Sequence, residues 1–121
     1  MKKIYLLILT GLSLILFSNA AKAQLTGVKN IPGDYANLAA AITDLNTQGV
    51  GAGGVLFIVP AGHTETAPAG GFQITATGTS ANPIAIAGGG MPKPIITANG
   101  ALTAGALNDG IFVLVGSDCN H

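Results

Sequence analysis

The chain reads as an all-β domain with one helix at its front, arranged as a solenoid and preceded by an export signal. Three observations carry that reading. The segment Met1 to Ala23 has the layout of a secretory leader. A single later segment has helical hydrophobic spacing. Beyond Gly51, short β-branched runs recur at a near-constant spacing.

The leader comes first. Lys2 and Lys3 give a positive start, a mostly apolar run extends from Ile4 to Phe17, and Ala21-Lys22-Ala23 offers a small-x-small cleavage site before Gln24. This is the three-part plan of a signal peptide. The apolar run falls short of the roughly 20 residues that a membrane-crossing helix needs, so an uncleaved anchor is the poorer fit. The residue directly after the cleavage site is Gln24, not a cysteine that could take a lipid. The expected division is therefore a leader over 1–23 and one domain over 24–121, secreted or at the cell surface, with no membrane association once the leader is gone.

Cleavage changes the charge. Lys29 and Lys93 remain against Asp34, Asp44, Glu65, Asp109 and Asp118, a net charge of −3 with no arginine. Nucleic-acid binding requires a basic footprint to neutralise phosphates, and that class is set aside. The chain beyond the leader suffices for one small domain with a modest core. Cys119 is the only cysteine, so no internal disulfide can staple it. Asp118-Cys119-Asn120-His121 contains metal-ligand types but no spacing that defines a coordination geometry.

Along the domain, Val28 and Ile31 are strand-type residues ahead of the Pro32-Gly33 turn. Between Asp34 and Asn46 the period changes. Leu38, Ala41, Ile42 and Leu45 fall at i, i+3, i+4 and i+7, one apolar stripe along a helix. Asp34 or Asn37 can cap its start, and Gly49 can end it. Val55-Leu56-Phe57-Ile58-Val59 is a strand stopped by Pro60. Phe72-Gln73-Ile74-Thr75 alternates apolar and polar residues. Ile84-Ala85-Ile86-Ala87 runs from Asn82-Pro83 to a triple glycine, Pro94-Ile95-Ile96-Thr97 follows, and Ile111-Phe112-Val113-Leu114-Val115 closes the series.

Strand starts at Val55, Ile84 and Ile111 form one series, and those at Phe72 and Ile95 form another. Two interleaved series with a shared period predict stacked coils. The continuous apolar runs at 55–59 and 111–115 are expected to be buried between neighbouring coils.

The segments Tyr35-Ala36-Asn37-Leu38-Ala39-Ala40-Ala41-Ile42 and Gly53-Gly54-Val55-Leu56-Phe57-Ile58-Val59-Pro60-Ala61-Gly62 resemble the N-terminal start of right-handed parallel β-helix proteins of the pectate-lyase-like type. Gly78-Thr79-Ser80-Ala81-Asn82-Pro83-Ile84-Ala85-Ile86 resembles the connection into a second coil, and Gly110 to Asp118 resembles the following one. The alanine- and threonine-rich style is similar to that of large surface proteins exported by Bacteroidetes-type bacteria. The resemblance implies about three coils, closed at the front by the amphipathic helix, which would shield an otherwise open strand edge. Such proteins usually have more coils and a second cap, so the resemblance further implies that this is the N-terminal piece of a longer β-helix.

Chemistry is sparse. Enzymes on this scaffold typically use clustered carboxylates to hold calcium and a basic residue to take a proton. Here the carboxylates are scattered, while calcium needs six to eight converging oxygens. His63 and Glu65 are the most suggestive pair, set at alternate positions of a strand-like segment and thus on one face, as an acid–base dyad requires. A corner-packing role for His63 is the simpler reading. Thr75, Thr77 and Thr79 are spaced as a polar ladder in water, and Phe72 and Tyr35 are aromatics that could stack on sugars, although Phe72 sits at an apolar position of an alternating strand. No catalytic, cofactor-binding or metal residue is assigned. The leading expectation is a non-catalytic structural or adhesive module, with polysaccharides or cell-surface glycans as candidate partners. Two alternatives stand beside it: the cap of a polysaccharide lyase or hydrolase with its active site on further coils, and a small self-associating protein that pairs through its open last coil, Ile111 to Val115.

Overall fold

The computed structural model describes residues 23–100 and 110–115. The leader over 1–22, and Asp109, Asp118, Cys119 and His121, lie outside the described residues. The order is β1 (Leu25–Asn30), α1 (Leu38–Gln48), β2 (Val50–Val59), β3 (Thr64–Thr66), β4 (Phe72–Ile74), β5 (Ile84–Gly88), β6 (Ile95–Thr97) and β7 (Phe112–Leu114). The described residues are thus mostly β with one helix, and their strands form three small, separate sheets, β1-β2-β5, β3-β6 and β4-β7. Every pairing is parallel.

The helix begins and ends where its sequence provides caps. Asn37 is extended and its side-chain Oδ1 accepts from the Ala40 N–H at 2.8 Å. Gly49, at φ 74°, stops the helix by donating its N–H to the Leu45 carbonyl at 2.7 Å. Leu38, Ala41, Ile42 and Leu45 are all buried, as the spacing predicts. Asp34 does not cap the helix. Its carboxylate accepts the Asn30 N–H at 2.7 Å and shapes the turn after β1.

β2 is the central strand. Gly27 to Asn30 of β1 stand beside Val55 to Ile58, and Val55 to Val59 stand beside Ile84 to Gly88 of β5. The step from Val55 to Ile84 is the one expected from the spacing. The other expected steps are corrected. The strand near Ile111 does not continue the series of Val55 and Ile84 but pairs with β4, Phe72 beside Phe112. Likewise β6 does not follow β4 but pairs with β3, Thr64 beside Ile95. The error has a physical cause: β3 is only the tripeptide Thr-Glu-Thr, too short and polar to announce itself as a strand.

Alternate residues of β2 and β4 point inward. Val55, Phe57, Val59, Phe72 and Ile74 join Leu25, Ile31, Ala67 and the apolar face of α1 in one core. At each side chain the size of Leu or Phe, full burial is worth roughly 1.5–3 kcal/mol. The run at 111–115 is not buried between strands as expected. Phe112, Leu114 and Val115 are 42%, 62% and 50% exposed, and among the described residues β7 has a strand neighbour on one side only.

Two glycines set the strand entries. Gly54 (φ 78°) and Gly71 (φ 79°) both immediately precede a core residue, Val55 and Phe72. A Cβ on Gly54 would run into the Pro83 carbonyl oxygen, and one on Gly71 into the Gly110 carbonyl oxygen. The neighbouring segment approaches so closely there that only glycine fits.

Candidate functional site

The polar groups that converge do so on α1, and they hold it in place. The first turn of a helix has amide N–H groups without intrahelical partners. Ala40 occupies the third helical position, where a glutamate would complete a capping box, and α1 has no acidic residue in its first turn. The missing carboxylate comes from β3. Glu65 Oε2 accepts the Leu38 N–H at 2.8 Å and Oε1 accepts the Ala39 N–H at 3.0 Å. With Asn37 serving Ala40, the first three helical amides are all satisfied.

His63 joins the same carboxylate. Its Nε2 lies 3.0 Å from Glu65 Oε2, with side chains 14% and 11% exposed. Burial pushes the Glu65 carboxyl upward, but hydrogen bonds from His63, Leu38 and Ala39 and attraction to the His63 ring outweigh it, holding the group below the ordinary glutamate range. Sequence spacing places this pair on one face, and the structure brings it together. Both Glu65 oxygens are engaged by helix amides, so the arrangement is that of an anchor for a helix N-terminus.

A second clamp is not legible in the sequence. Asn46, near the other end of α1, donates from Nδ2 to the Gln73 carbonyl at 2.7 Å, and its Oδ1 accepts from the Thr75 N–H at 2.9 Å and the Ala76 N–H at 3.2 Å. One side chain thereby occupies three main-chain groups, one in β4 and two in the residues that directly follow it. An asparagine on the polar face of a predicted helix is an ordinary surface residue in sequence. The only available signal is its acceptor-plus-donor amide, which matches an exposed strand edge.

Tyr35 fixes the outer side of the helix. Its hydroxyl donates to Asp44 Oδ2 at 2.6 Å, and Gln48 Nε2 donates to Asp44 Oδ1 at 2.6 Å. The Tyr35 ring meets Phe57 edge-on at 6.1 Å. Burial, then the hydrogen bond and charge of Asp44 and the charge of Asp34, push the phenol up to about 12. Of the two aromatics named from the sequence, Phe72 is buried, 1% exposed, and lies 5.3 Å from Phe112 in a tilted stack, while Tyr35 is half-buried with its hydroxyl bound to Asp44. Thr75, Thr77 and Thr79 are exposed but lie in no described strand, and Thr79 Oγ1 accepts the Asn82 N–H within its own turn at 3.1 Å.

Asp34, Asp44 and Glu65 are each engaged in a separate local hydrogen-bonded arrangement, and among the described residues no three His, Cys, Asp or Glu side chains gather to hold a metal ion. A recess of about 330 Å³ lies between α1 and the corner at 68–73, and its lining, which includes Ile42, Asn46, Pro68 and Phe72, carries no charged side chain. Among the described residues no helix is long and apolar enough to cross a membrane. Comparison with protein-family models, with curated proteins and with solved structures finds no match to this chain.

Proposed function

We propose that the chain is an exported, non-catalytic structural or adhesive module. In this reading its strands are the first coils of a right-handed parallel β-helix and α1 is the cap of that stack. The observation that carries the proposal is the use made of the polar side chains. Glu65, His63 and Asn46 are all engaged in fastening α1 over β3 and β4, and Asn82 accepts the Gly53 N–H at 2.9 Å across the step to the next strand. The in-register parallel steps from Val28 to Leu56, from Val55 to Ile84 and from Thr64 to Ile95 are of similar length and support the coil reading. A right-handed sense follows from the strong preference of parallel crossovers for that hand.

The working surface in this reading is the outer face of the β3-β6 sheet, where Thr64, Thr66, Ile95 and Thr97 are exposed. These four side chains carry no charge and offer threonine hydroxyls beside an isoleucine, a mixture that suits a glycan or a neighbouring surface protein. The test is fractionation of the producing cells with N-terminal sequencing, followed by co-sedimentation with insoluble cell-wall polysaccharide and assay of released sugar. Mature protein beginning at Gln24 outside the cytoplasm, sedimenting without releasing sugar, is expected. Retention of Met1 in a cytoplasmic protein overturns the export reading, and sugar release overturns the non-catalytic one.

A further inference from the structure

The asparagines of the domain differ in the freedom that the fold leaves them. An asparagine carboxamide is open to attack at Cγ by the main-chain nitrogen of the next residue. The step needs an accessible nitrogen, a carboxamide free to turn onto it, and a backbone that can bend into a small ring. The described residues contain five asparagines: Asn30, Asn37, Asn46, Asn82 and Asn99.

Four of them are blocked, each in its own way. After Asn30, the Ile31 nitrogen donates to the Ile58 carbonyl at 3.0 Å, and Ile31 is buried. After Asn37, the Leu38 nitrogen donates to Glu65, while Asn37 Oδ1 holds the Ala40 amide. Asn46 commits its carboxamide to Gln73, Thr75 and Ala76, and the next nitrogen, of Thr47, lies within the hydrogen-bonded ladder of α1. Asn82 accepts the Gly53 N–H and is followed by Pro83, whose nitrogen has no hydrogen to lose.

Asn99 has none of these restraints. It and Gly100 are both exposed, in a bend just beyond the end of β6. No hydrogen bond joins the Asn99 side chain or the Gly100 nitrogen to another described residue. Gly100 has no Cβ to crowd the attack, and its φ of 122° is a conformation that glycine alone adopts readily.

The structure assigns Asn99-Gly100 as a site of self-catalysed deamidation. The Gly100 nitrogen bonds to Asn99 Cγ and gives up its proton. The Cγ–Nδ2 bond breaks, and the departing amide nitrogen leaves as ammonia with that proton, closing a cyclic imide. Water then opens the ring. Hydrolysis at Cγ yields aspartate; hydrolysis at the main-chain carbonyl yields isoaspartate, in which the chain runs through Cγ. One water is consumed and one ammonia released, and no oxidant or enzyme is required. Each event adds one negative charge to the −3 of the chain beyond the leader. The new carboxylate falls just past Thr97, at the end of the exposed, uncharged row carried by β3 and β6.

The test follows the purified exported chain, warmed at mildly alkaline pH, both folded and unfolded in urea. Isoelectric focusing counts the added charge, and peptide mapping locates it and separates aspartate from isoaspartate. In the folded protein the first acidic species is expected to carry the change at Asn99, with isoaspartate present, and to form faster as pH rises. Folding should slow conversion at Asn99 by less than about tenfold, an opening of less than about 1.4 kcal/mol. Asn99→Ser, an exposed change, should remove that species while leaving the circular dichroism unaltered. Earlier conversion of any other asparagine in the folded protein overturns the assignment. Slowing at Asn99 well beyond tenfold on folding, or persistence of the first acidic species in Asn99→Ser, overturns it equally.

Discussion

Replacing Glu65 by alanine removes the one carboxylate that serves α1 from outside the helix. Two amides, Leu38 and Ala39, lose acceptors at 2.8 and 3.0 Å, and His63 loses its partner. A buried donor left unpaired costs about 1–3 kcal/mol, and loss of a helix N-cap about 0.5–2 kcal/mol. The helix start is part-buried, so water replaces some of what is lost, and about 2–3 kcal/mol is expected in all. For a domain of this size that is a fall in Tm of about 10–20 °C. Glu65→Gln keeps the shape and one good acceptor but turns an N–H donor toward an amide, and about half the loss is expected. The assay is urea unfolding followed by circular dichroism. The pH dependence adds a signed test. The Glu65 carboxyl is held below its unfolded value, so its contribution is present above about pH 4.3 and is lost as pH falls through the lowered folded value. The stability gap between wild type and Glu65→Gln should therefore narrow on acidification. An alanine variant within about 0.5 kcal/mol of wild type, the usual scatter of an unimportant surface change, refutes the clamp.

Asn46→Ala should cost about 1–3 kcal/mol and speed hydrogen exchange at the Thr75 and Ala76 amides selectively; unchanged exchange there contradicts the edge clamp. Gly54→Ala and Gly71→Ala should each lose more than the roughly 1–2 kcal/mol of a left-handed alanine, because a neighbouring carbonyl occupies the Cβ position. Gly53→Ala (φ 86°), with nothing within 4 Å of that position, should cost only the conformational part, and equal losses at 53 and 54 would contradict the close approach. Tyr35 is the only tyrosine beyond the leader, and its raised phenol value of about 12 means that stability is intact below about pH 10 and declines as pH rises through the folded value. An alkaline absorbance titration of the folded protein should show no ionisation near the ordinary tyrosine value, whereas a Tyr35 that ionises there while still folded contradicts the Asp44 contact.

Legibility in the sequence followed the strength of the local signal. The helix stripe at Leu38, Ala41, Ile42 and Leu45 is complete in itself, and its caps Asn37 and Gly49 are local choices, so its bounds and buried face were readable. The step from Val55 to Ile84 was readable because both strands are β-branched runs with glycine and proline at their ends. The partner of Phe112 was not, since the step from Phe72 to Phe112 is much longer than those from Val55 to Ile84 and from Thr64 to Ile95 and departs from the period they share. Glu65 stands out in the sequence only through its proximity to His63, yet its role depends on helix amides far earlier in the chain, those of Leu38 and Ala39, a relation that no spacing rule contains. Asn46 is similar: its partners, at Gln73, Thr75 and Ala76, are equally distant in sequence and are main-chain groups, which every residue has.

The coil stack itself is tested most directly by paired cysteines in the Cys119→Ser background. Leu56 stands beside Ala85, and Gln73 beside Val113, within the Cα separation of about 4.4–6.8 Å that a disulfide spans. Leu56→Cys/Ala85→Cys and Gln73→Cys/Val113→Cys are predicted to close intramolecular disulfides readily under mild oxidation, and Ala85→Cys/Val113→Cys is predicted to remain reduced. Closure of the 85–113 pair in preference to 73–113 would contradict the arrangement of the strands and, with it, the capped stack on which the proposed function rests.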